Sequence, residues 1–163
     1  MPITPRLSAT TVQTTFAAAG IFACWALLII GLADLKYMII PDQFVIMLAI
    51  SAFGFIPYQS GLMQPLLGAL VGGGVMLMVG VLGGAAFKKE VLGFGDVKLF
   101  ACLGLALGLT GTVVVLIGAS LLSGIGAAIA LASGRAKKDD AKPLGPYICG
   151  MGIFYIFIVW PFL

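Results

Sequence analysis

Apolar positions in this chain neither alternate nor repeat along one helical face. They run almost unbroken through long stretches, separated by brief polar or charged interruptions. A helix crosses a bilayer with about 20 apolar residues, at ~1.5 Å of rise per residue. By that measure the pattern predicts six spans, at 16–33, 43–59, 62–87, 97–110, 112–133 and 144–163. The implied fold is all-α, a polytopic membrane protein built as a bundle of about six transmembrane helices. The first span resembles a signal peptide only superficially. A single basic residue, Arg6, precedes it, and its apolar stretch exceeds the usual core of roughly 7 to 15 residues, so it reads as a retained helix.

Composition strengthens this reading. Of 163 residues, 61% are apolar and 9% charged, whereas about a quarter of a soluble domain is charged. A soluble globule of this size could not hide so much apolar surface. The length suggests one domain over 1–163, with a short tail at 1–15 and a charged cytoplasmic loop at 134–143. Any chemistry must then come from helix ends and short loops.

Charge supplies orientation. Lys36 follows the first span, Lys88, Lys89 and Lys98 surround the junction after the third, and Arg135, Lys137, Lys138 and Lys142 fill the gap after the fifth. Only Arg6 lies opposite. The positive-inside rule makes those three junctions cytoplasmic and puts both termini outside. The net charge of +3 is spread over loops and not along a stripe, so no nucleic-acid partner is expected. Cys24, Cys102 and Cys149 stand singly in apolar surroundings, with no metal-ligand spacing, and read as packing residues. Histidine is absent, which removes Ser-His and Cys-His catalysis and histidine metal sites. No metal or cofactor is expected. Glycines spaced through the third and fourth spans predict a close contact between those two helices.

The acids are Asp34, Asp42, Glu90, Asp96, Asp139 and Asp140, all on the predicted cytoplasmic side. Asp139 and Asp140 belong to a solvated hairpin loop, and Glu90 sits beside Lys88 and Lys89 as a surface charge. Asp34 and Asp96 are different, because each lies where an apolar helix meets the interface. Asp34 ends the first span. Asp96 opens a fourth span of only about 14 residues, whose shortness draws its end inward. An ionised carboxylate there costs roughly 3 kcal/mol on insertion scales, so such acids are read as functional by default. The plainer reading of Asp96 is a helix cap, and that of Asp34 simple interfacial placement. Gly93 and Gly95, flanking Phe94, let the backbone bend and another chain approach, which a cap does not require. Two carboxyls held close together share one proton, so that one accepts from water while the other donates to a carbonyl.

Asp34 within DLKYMIIPD, and Gly93-Phe94-Gly95-Asp96-Val97-Lys98 roughly fifty residues beyond, resemble the two active-site motifs of type IV prepilin peptidases. Pro143-Leu144-Gly145-Pro146 is similar to that family's third landmark, before its last helix. The resemblance covers most of the chain from about residue 20. It implies an intramembrane aspartic endopeptidase with Asp34 and Asp96 as catalytic pair, and Pro41, Asp42, Gly93, Gly95 and Lys98 in support. Pro41 would break the helix after the first acid. Asp42 would contact a basic leader, and Lys98 would influence the charge of the pair. The implied substrate is a prepilin or pseudopilin precursor, carrying a short basic leader ahead of an apolar helix lodged in the bilayer. Cleavage would occur at the cytoplasmic face of the bacterial inner membrane. Longer family members carry an insert with paired cysteines linked to methylation. No Cys-x-x-Cys pair and no insert before Asp34 occur here, so peptidase activity without methyl transfer is expected. The competing readings are a small ion- or proton-coupled transporter or channel subunit, and a noncatalytic assembly factor whose glycine faces bind partner helices.

Overall fold

A computed structural model of the chain describes residues 9–59, 61–87, 92–133 and 144–159. Arg6, Lys88, Lys89, Glu90 and the charged segment 134–143 lie outside the described residues, as does Pro143. The described residues form α-helices joined by short turns, without a β-strand. The helices are α1 (Ala9–Tyr37), α2 (Asp42–Phe55), α3 (Met63–Phe87), α4 (Phe94–Ala132) and α5 (Gly145–Phe154). A 3-10 turn, Ile56–Tyr58, continues α2, and a π-helical turn, Tyr155–Val159, continues α5. Three helical stretches are long and apolar enough to cross a membrane: Thr14–Tyr37, Met63–Ala85 and Phe94–Ala130. The core gathers Leu27, Ile30, Leu48, Phe55, Phe100, Leu103 and Ile148. Outward-facing positions such as Leu28, Leu70 and Ile129 stay apolar and exposed, as a lipid-facing surface requires.

Five α-helices stand where six spans were predicted. The fourth and fifth spans fall within one element, α4, because its helical bonding continues across the point where they were divided. Its direction does not continue. Gly108 leaves helical geometry, with φ 70° and ψ −176°. Residues 100 and 112 of a straight helix would stand ~18 Å apart along the axis. Instead a Cβ built at Gly72 of α3 would lie 2.6 Å from the Phe100 carbonyl oxygen and 3.0 Å from Thr112 Cγ2. The chain therefore folds back at Gly108, three residues before the predicted break at Gly111, giving two antiparallel limbs, 94–107 and 109–132. Glycine is suited to this point because its φ lies in the region that side chains disfavour.

A reversal within an apolar bundle exposes backbone groups that lipid cannot satisfy. Two polar side chains meet that demand. Gln59 Nε2 donates to the carbonyls of Ala106 (2.9 Å) and Leu105 (3.4 Å), which end the first limb. The Thr112 hydroxyl donates to the Gly108 carbonyl at 2.6 Å.

The predicted glycine contact between α3 and α4 is present. A Cβ at Gly68 would collide with the carbonyl oxygens of Gly104 and Gly108, and one at Gly104 would collide with the backbone of Gly68 and Ala69. Removing both side chains lets the two backbones touch, which substitutes packing for the hydrophobic force that lipid lacks. The three cysteines are free thiols, Cys24 and Cys149 buried and Cys102 half-buried.

Candidate active site

Asp34 lies inside α1, three residues before its end, and not at the end of the helix as the sequence suggested. The helix stops because Met38 takes a left-handed conformation (φ 52°) and its N–H donates to the Asp34 carbonyl at 2.9 Å. This is the single-bond left-handed helix cap, formed here by a residue other than glycine. Pro41 is therefore not the breaker of α1. It stands before α2 in an extended conformation (φ −70°, ψ 119°), and its carbonyl accepts from the N–H groups of Phe44 and Val45.

The chain between the two helices carries Ile40 onto the start of α4. A Cβ at Gly95 would lie 3.0 Å from Ile40 Cβ, so Gly95 makes room for this contact. Neither Gly93 nor Gly95 has a positive φ. Gly93 is exposed, and its carbonyl accepts from the Asp96 N–H at 3.0 Å. Asp96 thus occupies the first turn of α4 and is not the residue that caps it. Its side chain is half-buried, and Oδ1 is enclosed without a hydrogen-bond partner among the described residues.

Asp34 is buried, at 6% exposure, and Oδ2 accepts from the Gly145 N–H at 3.0 Å. The first turn of α5 explains why this amide is available. Helix N-termini leave their first amides without intrahelical acceptors. Here Pro146 has no N–H, while Tyr147 and Ile148 both donate to the Leu144 carbonyl, at 3.1 and 3.3 Å. Gly145 keeps the remaining donor, and Asp34 takes it. The positive end of the α5 dipole favours a carboxylate at the same place. Gly145 itself was visible in the sequence only as part of a landmark. Its contact with Asp34 joins residues 111 positions apart through a backbone group, which leaves no mark on residue type.

The two acids meet. Asp34 and Asp96 are close enough for their charges to act on each other, and the Cys149 thiol, one turn into α5, lies within reach of both. Two of the supporting residues pair with each other. Lys98 Nζ sits 3.0 Å from both oxygens of Asp42, an exposed two-pronged ion pair between the starts of α2 and α4. It also lies 5.6 Å from the centre of the Phe94 ring. Lys98 thus pairs with Asp42. No group of three or more metal-ligating side chains occurs among the described residues.

Comparison with known proteins adds a family. The profile of the Type IV leader peptidase family matches residues 21–131. Among curated relatives, a prepilin leader peptidase/N-methyltransferase of Xanthomonas campestris pv. campestris is 31% identical over 143 residues, covering 84% of this chain and 49% of the relative. One from Pectobacterium carotovorum subsp. carotovorum is 34% identical over 160 residues, covering 85% of this chain and 55% of the relative. One from Bacillus subtilis is 30% identical over 136 residues, covering 78% and 50%. The chain spans about half the length of the curated relatives it matches. No solved structure gives a significant match.

Proposed function

From the premise that this chain belongs to the type IV leader peptidase family, we propose that it is an aspartic endopeptidase of the membrane, removing a basic leader from prepilin or pseudopilin precursors. The observation that carries the proposal is the nearness of two acids from separate helices, Asp34 of α1 and Asp96 of α4, close enough for their charges to interact in a largely apolar bundle.

The reaction needs one proton shared between the pair. The unprotonated carboxyl takes a proton from water as the water oxygen bonds to the scissile carbonyl carbon. The protonated partner gives its proton to the carbonyl oxygen, forming a tetrahedral diol. Collapse of the diol breaks the C–N bond as one diol hydroxyl returns its proton to the second carboxyl, and the leaving amine takes the proton first removed from water. One carboxyl ends protonated and one free, as at the start. No metal or cofactor enters these steps.

In this reading residues 1–163 form one peptidase domain, and α4 crosses the bilayer twice, making six crossings. The acids face the cytoplasm in the bacterial inner membrane, with both termini outside. Loop charge supports that orientation. Pro41, Gly93 and Gly95 shape the two turns beside the acids, and the Asp42–Lys98 pair ties those turns together. A substrate with its apolar helix in the bilayer would bring its leader junction to this end of the bundle.

The test is direct. Asp34→Asn and Asp96→Asn are reconstituted separately in vesicles with a precursor peptide carrying a basic leader and an apolar helix, and the products are read by mass spectrometry. Each substitution should lower cleavage by at least about a hundredfold, within the range that a positioned acid or base contributes. Undiminished cleavage by either folded variant removes that residue from the pair. The same spectra show whether a methyl group is added, and for this chain the proposal is cleavage alone.

A further inference from the structure

We infer that Gly145 is a positioning residue of the aspartate pair, fixing the Asp34 carboxyl through its backbone amide and through the lack of a side chain. The inference rests on the proposed peptidase reading and adds a third group to it.

Three observations converge on Gly145. Its N–H donates to Asp34 Oδ2 at 3.0 Å in a buried setting. The local sequence makes that donor single, since Pro146 has none and the amides of Tyr147 and Ile148 are taken by Leu144. A Cβ at position 145 would stand 2.5 Å from Asp34 Oδ2, 2.9 Å from Cγ and 3.2 Å from Asp34 Cβ. Real side chains do not make such approaches, so any other residue must push the carboxyl aside or draw α5 away from α1. The latter route would also part the close packing one turn further along, where Gly31 of α1 lies against Cys149 and Pro146.

The two acids are therefore held from different helix starts, Asp34 from that of α5 and Asp96 from Gly93 at that of its own helix. Asp34 is tied to α5 by an amide aimed along the helix axis, and this bond orients the oxygen that must meet water. Asp96 has an oxygen with no protein partner among the described residues. Displacing Asp34 by an ångström or so disturbs reacting geometry far more than substrate binding, because a leader and an apolar helix touch many other groups. Loss of this positioning should then appear in kcat and not in KM.

The test compares Gly145→Ala with Gly150→Ala. Gly150 lies on the same helix, is exposed and has open space around its Cα. In vesicles with the same precursor peptide, G145A should lose at least tenfold in kcat, keep KM within about threefold, and show a displaced pH–rate profile. G150A should match the parent in all three. A folded G145A with parental kcat and an unmoved profile overturns the inference. Should G145A not fold, the parent itself supplies the second reading. With glycine amides labelled by ¹⁵N, the Gly145 N–H resonance should follow the titration of Asp34 and lose that dependence in Asp34→Asn. A Gly145 resonance indifferent to pH in the parent also overturns it. The two levels separate cleanly: an active D34N ends the Asp34–Asp96 pairing on which the inference rests, whereas an inactive D34N with a fully active G145A ends only the role of Gly145.

Discussion

At the scale of single residues, the site pairs costly groups with inexpensive ones. Asp34 and Asp96 stand out in the sequence because a carboxyl at the edge of an apolar helix carries a penalty that needs a reason. Asp42 and Lys98 are another matter. Their ion pair is short and two-pronged, yet Lys98 is 43% and Asp42 62% exposed, so water and salt screen it. Asp42→Asn and Lys98→Met should each lower stability by less than about 1 kcal/mol, and the double variant should cost little more than either alone. Thermal melts of all three against the parent check this. A coupling well above that size would mean the pair holds the two turns together more firmly than its exposure implies. Gly145 and Gln59 were not legible in the same way. Gly145 acts through a main-chain amide, and Gln59, a polar residue in an uncharged turn, acts through carbonyls 46 and 47 positions away.

At the scale of elements, α3 and α4 are joined through backbone instead of side chains. The glycine spacing announced that contact, and the structure carries it out at Gly68, Gly72 and Gly104. Gly104→Leu should destabilise the folded protein by about 2 kcal/mol or more, as overfilled packing does. Gly74→Leu on α3, where nothing lies within 4 Å, should leave stability within about 0.5 kcal/mol of the parent. Melting the two variants side by side in one detergent decides it. The position of the fold-back in α4 was harder to read, because apolar residues continue on both sides of Gly108 and give no polar break. A reversal made by one glycine, with Thr112 and Gln59 supplying donors, needs no loop. The helix ends were likewise blurred, since Asp34 lies within α1 and the stop comes from a left-handed Met38.

At the scale of the whole molecule, the bundle has two chemically different ends. One holds Asp34, Asp96, Gly145 and the Asp42–Lys98 pair. The other holds the uncharged turn at Gln59 and the reversal at Gly108. In a cysteine-free chain, Lys137→Cys should react with a membrane-impermeant thiol reagent only from the cytoplasmic side, and Leu62→Cys only from the opposite side. The reverse pattern would turn the acids away from the cytoplasm and contradict the proposed orientation. The Asp34–Gly145 bond also bears on biosynthesis. Residue 145 leaves the ribosome long after both acids have been made, so a nascent chain carries Asp34 and Asp96 without the amide that sets the first of them. On the proposed reading, proteolytic competence would then arrive only with the docking of α5.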